Sequence, residues 1–483
     1  MEAEILIDAT SRVAALNRGI YGQFIEHLGR CIYGGVWVGP TSRIPNVKGF
    51  RLDVLNAVRE ISPPIVRWPG GNFASSYHWE DGIGPQERRP RRFELAWEAE
   101  EPNEFGTCEF IEWARMVGAE PFIVVNAGNG TPEEAARWVE FCNSTRNTHY
   151  ANLRRQLGYL EPFNVKLWGV GNELYGSWQV GFCEDGEECA RRTIEFVNEM
   201  KRVDRTIEIV AVGCDYDPQW NIDMVRVAGN YFDYLSVHRY IFTEHQGRSY
   251  EELVAWPVEI EEWLKATYHT VQAAKRRYGI RKDIKLAFDE WNVWYPEARP
   301  PLLSQNTAVR DALFTALVLN ALQRLSRSVP IACFAQTVNV LPLILTDDEG
   351  RILLTPQYFV FKLYSSVQEG DVVRTVCFSP SYTSKEVGAE VQYIDASAVR
   401  SGSKLHLFVV NRHIDEGVRV RVFIRGFEPS AVHHRWISGT SVDDRNTFEE
   451  PSRVAINETS YAFRGFVELP PHSVNVLTLS PTA

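Results

Sequence analysis

Val165-Lys166-Leu167-Trp168-Gly169-Val170-Gly171-Asn172-Glu173-Leu174 and Ile284-Lys285-Leu286-Ala287-Phe288-Asp289-Glu290-Trp291-Asn292 follow one plan, a short β-rich apolar run that stops at a glutamate. Runs of this length with few polar residues read as strands buried on both faces, as in a parallel sheet. A glutamate where such a strand stops has left the packed layer and faces the space above the sheet. In a (β/α)8 barrel that end carries the chemistry, which singles out Glu173 and Glu290.

Working outward, six more runs of the same kind appear: 20–24, 64–68, 121–126, 208–213, 234–238 and 331–336. Helical patterns separate them over 51–61, 109–118, 131–142, 189–203, 259–278 and 307–326, with a capping sequence at Thr131-Pro132-Glu133-Glu134. Strand alternating with helix about eight times predicts an α/β fold, a (β/α)8 TIM barrel over 16–365. The rival is a doubly wound sheet, but Gly169-Val170-Gly171 fails as a dinucleotide fingerprint because Leu174 stands where the third glycine belongs. The stretches 242–250 and 295–301 read as surface loops after the sixth and seventh strands.

Beyond about residue 365 the rhythm changes to period-two alternation, as in Lys404-Leu405-His406-Leu407-Phe408-Val409-Val410 and Val418-Arg419-Val420-Arg421-Val422-Phe423-Ile424. This predicts a C-terminal antiparallel β-sandwich, jelly-roll-like, over 366–483. The N-terminal run Glu4-Ile5-Leu6-Ile7 has no helix after it, so 1–15 is expected to join that sandwich as a strand.

A net charge of -11 argues against nucleic acid and anionic membrane surfaces as partners, since both select basic faces. Met1-Glu2-Ala3-Glu4-Ile5-Leu6-Ile7-Asp8 lacks the basic and apolar regions of a secretory signal, so a cytoplasmic location is expected. The 8 Cys include no C-x-x-C pair, which leaves buried free thiols as the expected state and no metal or other cofactor to propose.

Polar and aromatic residues gather where the predicted strands end. Glu26 and His27 follow the first, Arg67 and Gly70-Gly71-Asn72 the second, and Asn126 the third. Asn172 and Glu173 follow the fourth, His238 and Tyr240 the sixth, Glu290 and Trp291 the seventh, Gln336 and Asn339 the eighth. A barrel brings all of them to one face. Two carboxyl groups there, one protonated and one ionised, are what hydrolysis of a glycosidic bond requires. The period-two rule sends Asp289 to the opposite side of its strand from Glu290, which makes it a structural ion pair. His27, His78 and His413 are solitary and read as satisfied structural histidines.

Six segments carry a resemblance: 21–27 (YGQFIEH), 67–73 (RWPGGNF), 103–107 (NEFGT), 171–174 (GNEL), 238–240 (HRY) and 289–292 (DEWN). Together, and in this order, they resemble the α-L-arabinofuranosidases of glycoside hydrolase family 51, and the likeness continues through 353–358 into the last strands. The resemblance implies an exo-acting, retaining enzyme on arabinofuranosyl-containing oligosaccharides, with Glu173 as acid/base and Glu290 as nucleophile. It also implies that Glu26, Asn72, Asn172, Tyr240 and Gln336 bind the sugar or the nucleophile and that Trp97 lines the sugar site. Arg67 and His238 become supports of the two carboxylates, and a homo-oligomer, up to a hexamer, is expected. Cys108 departs from the acidic or amide residue expected there, which bears only on the local loop. Trp168 or Trp178 is expected to bury Glu173 in part. Alternatives on the same residues are a β-xylosidase or endoglucanase on this barrel, or a non-catalytic carbohydrate-binding protein.

Overall fold

The computed structural model describes residues 1–242, 249–300 and 302–481. Strand β1 is Glu2–Ala15. The barrel strands are β2 Gly22–Phe24, β3 Ile65–Trp68, β4 Glu120–Val125, β5 Leu167–Val170, β6 Glu208–Val212, β7 Tyr234–Phe242, β8 Lys285–Trp294 and β9 Ile331–Ala335. All pair in parallel with their chain neighbours, and β9 closes on β2. Each falls on one of the eight runs read from the sequence, so the (β/α)8 barrel stands. Its interior is filled by Phe24, Phe122, Val124, Leu167, Val210 and Cys333, which makes it a packed core with no passage through it.

Strands β7 and β8 differ from expectation. Both continue well past their predicted ends, and their pairing slips between Ser236 and His238, where β8 carries one extra residue. A second slip against β9 lies between Phe288 and Trp291. A bulge of this kind re-aims the side chains beside it. Glu290 therefore sits inside a longer, kinked strand and not at its end.

After the barrel come β10 Asp371–Phe378, β11 Ile394–Ser401, β12 Lys404–Asn411, β13 Val418–Arg425, β14 Pro429–Ile437, β15 Asn457–Ala462, β16 Phe466–Leu469 and β17 Ser473–Pro481. They form one curled sheet in the order β15-β14-β17-β12-β11-β10-β1-β13-β16. Strand β1 lies between β10, antiparallel, and β13, parallel. The parallel pair departs from an all-antiparallel sandwich. No hairpin constrains it, because the whole barrel separates the two strands in sequence.

Strands β12 and β17 are buried on both faces. Leu405, Leu407, Leu477 and Leu479 fill the sheet's own core with Ile5, Ile7 and Val420. Phe408, Val410, Val474 and Val476 point the other way into the barrel's core cluster, and Phe408 meets Tyr364 of the helix Pro356–Tyr364 at 4.7 Å between ring centroids. The two layers share one continuous apolar contact.

The helix predicted from residue 259 begins at Tyr250, capped by Ser249, and carries Pro257 inside it. The loop read over 242–250 thus ends earlier than expected, and 243–248 lie outside the described residues, as does Pro301 of the loop read over 295–301. Cys108 sits in the first turn of the helix Thr107–Val117, buried, and not in a loop. All eight cysteines are free. Among the described residues no helix is long and apolar enough to cross a membrane.

Candidate active site

At the C-terminal end of the barrel a cavity of about 600 Å³ is lined by Glu26, Asn72, Trp97, Glu173, His238, Tyr240, Glu290 and Gln336. Arg67 and Asn172 lie behind its wall, 1% and 2% exposed. Most of the strand-end residues read from the sequence thus converge on one pocket. Asn126, Asn339 and Trp291 do not line it: Asn126 bonds Tyr77 O and Asn129, Asn339 bonds Arg30 O and Thr346, and Trp291 packs in the core.

Arg67 comes from β3 and is buried among β2, β5 and β8. Its Nη1 donates to Glu290 Oε1 at 2.6 Å and its Nη2 to Asn172 Oδ1 at 2.8 Å. The phenol of Tyr240 donates to Glu290 Oε2 at 2.7 Å. Burial pulls the Arg67 guanidinium down, but Asp289 and Glu290 outweigh it and keep the group cationic. Charge-assisted bonds of this length are the strong kind, and the flat guanidinium fixes Glu290 and Asn172 relative to each other.

Glu173 follows Gly171 in a tight turn, and both have positive φ, 79° at Gly171 and 43° at Glu173. A left-handed glutamate is uncommon and costs energy that the surrounding contacts must hold. Its Oε1 meets His238 Nδ1 at 2.8 Å. The other ring nitrogen, Nε2, lies 3.2 Å from Asp289 and 3.1 Å from Ser236 Oγ. Burial lowers the His238 pKa, yet Glu290, Asp289 and Glu173 overcome it and hold the imidazole well above its usual range. The protonated imidazole is therefore favoured, with Asp289 beside Nε2 and Glu173 and Glu290 on the Nδ1 side.

Of the two aromatic neighbours expected for Glu173, Trp168 needs correcting. Trp168 is sealed in the core against Trp138, where its indole donates to Val165. Trp178 lines the cavity but is 60% exposed. His238, not a tryptophan, is the close partner of Glu173.

Glu26 accepts from Gly71 N at 2.9 Å, Phe73 N at 3.2 Å, Trp97 Nε1 at 3.4 Å and Gln336 Nε2 at 2.9 Å. Burial, and then the charge of Glu290, push its carboxyl up to about 8. Gly70 and Gly71 permit this close approach, since a Cβ would meet Glu26 Cγ at 2.5 Å or Glu290 Oε1 at 2.8 Å. The Gln336 carbonyl oxygen is buried without a hydrogen-bond partner.

Asp289 also departs from expectation. It is an ion pair, as read, with Arg67 Nε at 3.4 Å, but it faces the same cations as Glu290. The bulge on β8 breaks the period-two rule at this point.

Several residues escaped the sequence reading. Gln179 donates to Asn72 and accepts from Ser75, so it fixes the Asn72 amide, and nothing in its loop marks it. Trp294 lines the cavity and would follow from Glu290 had β8 been read to its full length. Asp215 is another wall residue, its carboxyl pushed up by burial. His27 is satisfied between Glu101 and the indole of Trp68, and His78 bonds Glu134. His413 accepts from the Asp415 and Glu416 amides.

Single ligand atoms of Glu173, His238 and Glu290 lie within 4.8 Å of one another, a spacing that could admit a cation. Glu173 Oε1 and His238 Nδ1 already bond each other, and Glu290 Oε1 accepts from Arg67 Nη1.

Comparison with known proteins agrees with this geometry. A profile described as "Alpha-L-arabinofuranosidase 1 domain" matches residues 57–256, and one described as "Alpha-L-arabinofuranosidase C-terminal domain" matches 289–473. The "Intracellular exo-alpha-(1->5)-L-arabinofuranosidase" of Halalkalibacterium halodurans is 34% identical over 89% of this chain and 88% of its own. Among solved structures, an α-L-arabinofuranosidase from Thermotoga maritima in complex with arabinose shares 40% identity at a TM-score of 0.90, over 99% of this chain and 100% of that one. The GH51 arabinofuranosidase of Xanthomonas axonopodis pv. citri shares 32% at a TM-score of 0.92, with the same coverage.

Proposed function

This chain belongs to the α-L-arabinofuranosidases of glycoside hydrolase family 51, and on that premise we propose that it removes terminal non-reducing α-L-arabinofuranosyl residues by double displacement. The enzyme is a glycoside hydrolase that acts on arabinofuranosyl groups from the chain end.

Glu290 is the nucleophile and Glu173 the acid/base. Glu290 attacks the anomeric carbon while Glu173 gives its proton to the departing oxygen, which leaves a glycosyl ester. Water then attacks the same carbon, Glu173 takes its proton, and Glu290 is released. One observation carries this reading: a carboxylate oxygen of Glu173 and one of Glu290 lie within 4.8 Å. Retaining enzymes place their carboxyl groups about 5–5.5 Å apart, and inverting ones leave room for water at about 6.5–9.5 Å. Arg67 and Tyr240 hold Glu290 for in-line attack. Glu26, Asn72 and Gln336 offer the polar edge of the sugar pocket, with Trp97 beside it and Asn172 supporting from behind.

We further read residues 16–365 as the catalytic unit, with 1–15 and 366–483 as one accessory sheet. The working form is read as a cytoplasmic homo-oligomer, up to a hexamer, with no nucleic-acid or membrane partner. The intracellular name of the bacterial relative supports the location, and the net charge of -11 the absence of nucleic-acid and membrane partners.

The test compares aryl α-L-arabinofuranoside with aryl β-xyloside and aryl β-glucoside, and follows the first sugar released by proton NMR. Turnover of the arabinofuranoside alone, with the α anomer appearing first, is expected. Preference for the xyloside or glucoside would move the activity to another enzyme on this barrel, and initial β anomer would rule out retention.

A further inference from the structure

Strands β1, β10 and β13 lie side by side, and their inner residues, such as Ile5 and Val422, are buried in the sheet core. On a sheet with one face in water the alternate residues should be polar. Here one row breaks the rule. Val376, Leu6 and Phe423 are direct cross-strand neighbours on the outer face, with Leu6 40% and Phe423 51% exposed. Phe378, 53% exposed, stands one row away beside Glu4. A shallow groove of about 620 Å³ follows this row.

The charges around the row are sorted by strand. Outward residues of β1 are Glu2, Glu4 and Asp8, and those paired with them on β13 are Arg419, Arg421 and Arg425. The two strands are parallel and in register, so an acidic column runs beside a basic one. We propose that this face is an isologous contact with a second copy of the chain, about a two-fold axis that runs parallel to β1 and β13 and midway between them.

That axis lays each strand over the other's counterpart at the same level. Asp8 then faces the partner's Arg425, Leu6 the partner's Phe423, Glu4 the partner's Arg421, and Glu2 the partner's Arg419. Phe378 falls over the partner's Phe466, because β16 flanks β13 as β10 flanks β1. Neither a shift by one strand nor a head-to-tail reversal gives this match. Within one chain the same carboxylates already lie 3.6–3.9 Å from these arginines, Asp8 at 3.6 Å from Arg425 and Glu4 at 3.9 Å from Arg421. The contact would extend each pair into a four-charge array around an apolar centre. An apolar row rimmed by self-complementary charge marks a two-fold interface.

The proposal rests on the homo-oligomer reading and assigns one of its surfaces. It is tested on the full chain by sedimentation velocity and native mass spectrometry. The unaltered protein is expected in even-numbered assemblies. Leu6→Glu with Phe423→Glu should raise the dissociation constant of the two-fold contact on the order of 100-fold, as loss of a central hot spot does. Activity per subunit and the circular dichroism spectrum should be unchanged, because the face is remote from the cavity. Arg421→Glu with Arg425→Glu should also weaken assembly, and adding Glu4→Arg with Asp8→Arg should restore it. A monomeric unaltered chain would overturn both this proposal and the homo-oligomer reading. An assembly indifferent to Leu6→Glu and Phe423→Glu would overturn this face alone, and failure of the charge swap to restore assembly would overturn the axis.

Discussion

Asp289 and Glu290, neighbours on one strand, both reach the guanidinium of Arg67, Asp289 at Nε from 3.4 Å and Glu290 at Nη1 from 2.6 Å. Adjacent residues of a regular strand point to opposite faces, so this convergence is the product of the bulge on β8. Its consequence is electrostatic. Two buried cations, Arg67 and His238, are each shared between Asp289 and Glu290, with Glu173 at the far side of His238. Asp289 touches both cations without lining the cavity.

Asp289→Asn should therefore act through its neighbours. Burial raises the Asp289 carboxyl, but Arg67 and His238 more than reverse this and hold it below its usual range, so it is charged at working pH. Removing that charge weakens what keeps His238 protonated. The basic limb of the kcat/KM profile should move to lower pH. Leaving two buried cations short of one partner should also destabilise the fold by roughly 3–5 kcal/mol. An unchanged pH profile with lowered melting temperature would leave Asp289 a purely structural residue.

The roles of the two glutamates separate by leaving group. Glu290→Ala should abolish turnover of every substrate. Glu173→Ala should lose about 10²–10⁴-fold on poor leaving groups and little on activated aryl glycosides, since general acid help is then dispensable. Azide should accelerate Glu173→Ala on activated substrates and yield the retained arabinosyl azide, in the place of the water that Glu173 no longer activates. The reverse pattern in the two variants would exchange their roles.

The barrel was legible because eight apolar runs and their helices repeat a simple rhythm, and the carboxylates were legible because they follow such runs. What was not legible has local causes. The helix read from residue 259 runs back through Pro257, a residue that ordinarily breaks helices, to Tyr250, which the loop reading had included. The bulge on β8 leaves no mark in Phe288-Asp289-Glu290-Trp291, so the direction of Asp289 and the reach of the strand to Trp294 were lost together. Gln179 serves Asn72 across 107 residues of sequence, and His238 rather than Trp168 faces Glu173, contacts that only the closed barrel brings about. The parallel placement of β1 beside β13 has the same origin, since hundreds of residues separate them.

Glu26 predicts a pH dependence of stability. Its carboxyl is raised from 4.5 to about 8 in the folded chain, so between these values the native state holds a proton that the unfolded state has lost. Stability from this group is full below about 4.5 and falls as pH rises toward 8, with a limiting slope of about 1.4 kcal/mol per pH unit. Glu26→Gln keeps a neutral side chain of the same shape. Its unfolding free energy should fall less steeply over that window than the parent's, measured by denaturant titration at several pH values. Parallel curves for the two proteins would show that Glu26 is not raised.

Truncation tests how the sheet relates to the barrel. Removing everything after residue 365 would expose Tyr364 and the barrel helices that Phe408, Val410, Val474 and Val476 cover, and it would strip β1 of both its partners. Bare apolar surface and an unpaired strand favour aggregation. Such a chain should accumulate as insoluble protein with no recoverable arabinofuranosidase activity. Deleting β17 alone should do nearly as much, since it is paired on both edges, with β12 and β14, and packed on both faces. A soluble, fully active barrel fragment would show that the catalytic unit stands alone and that the shared apolar contact contributes little to its folding.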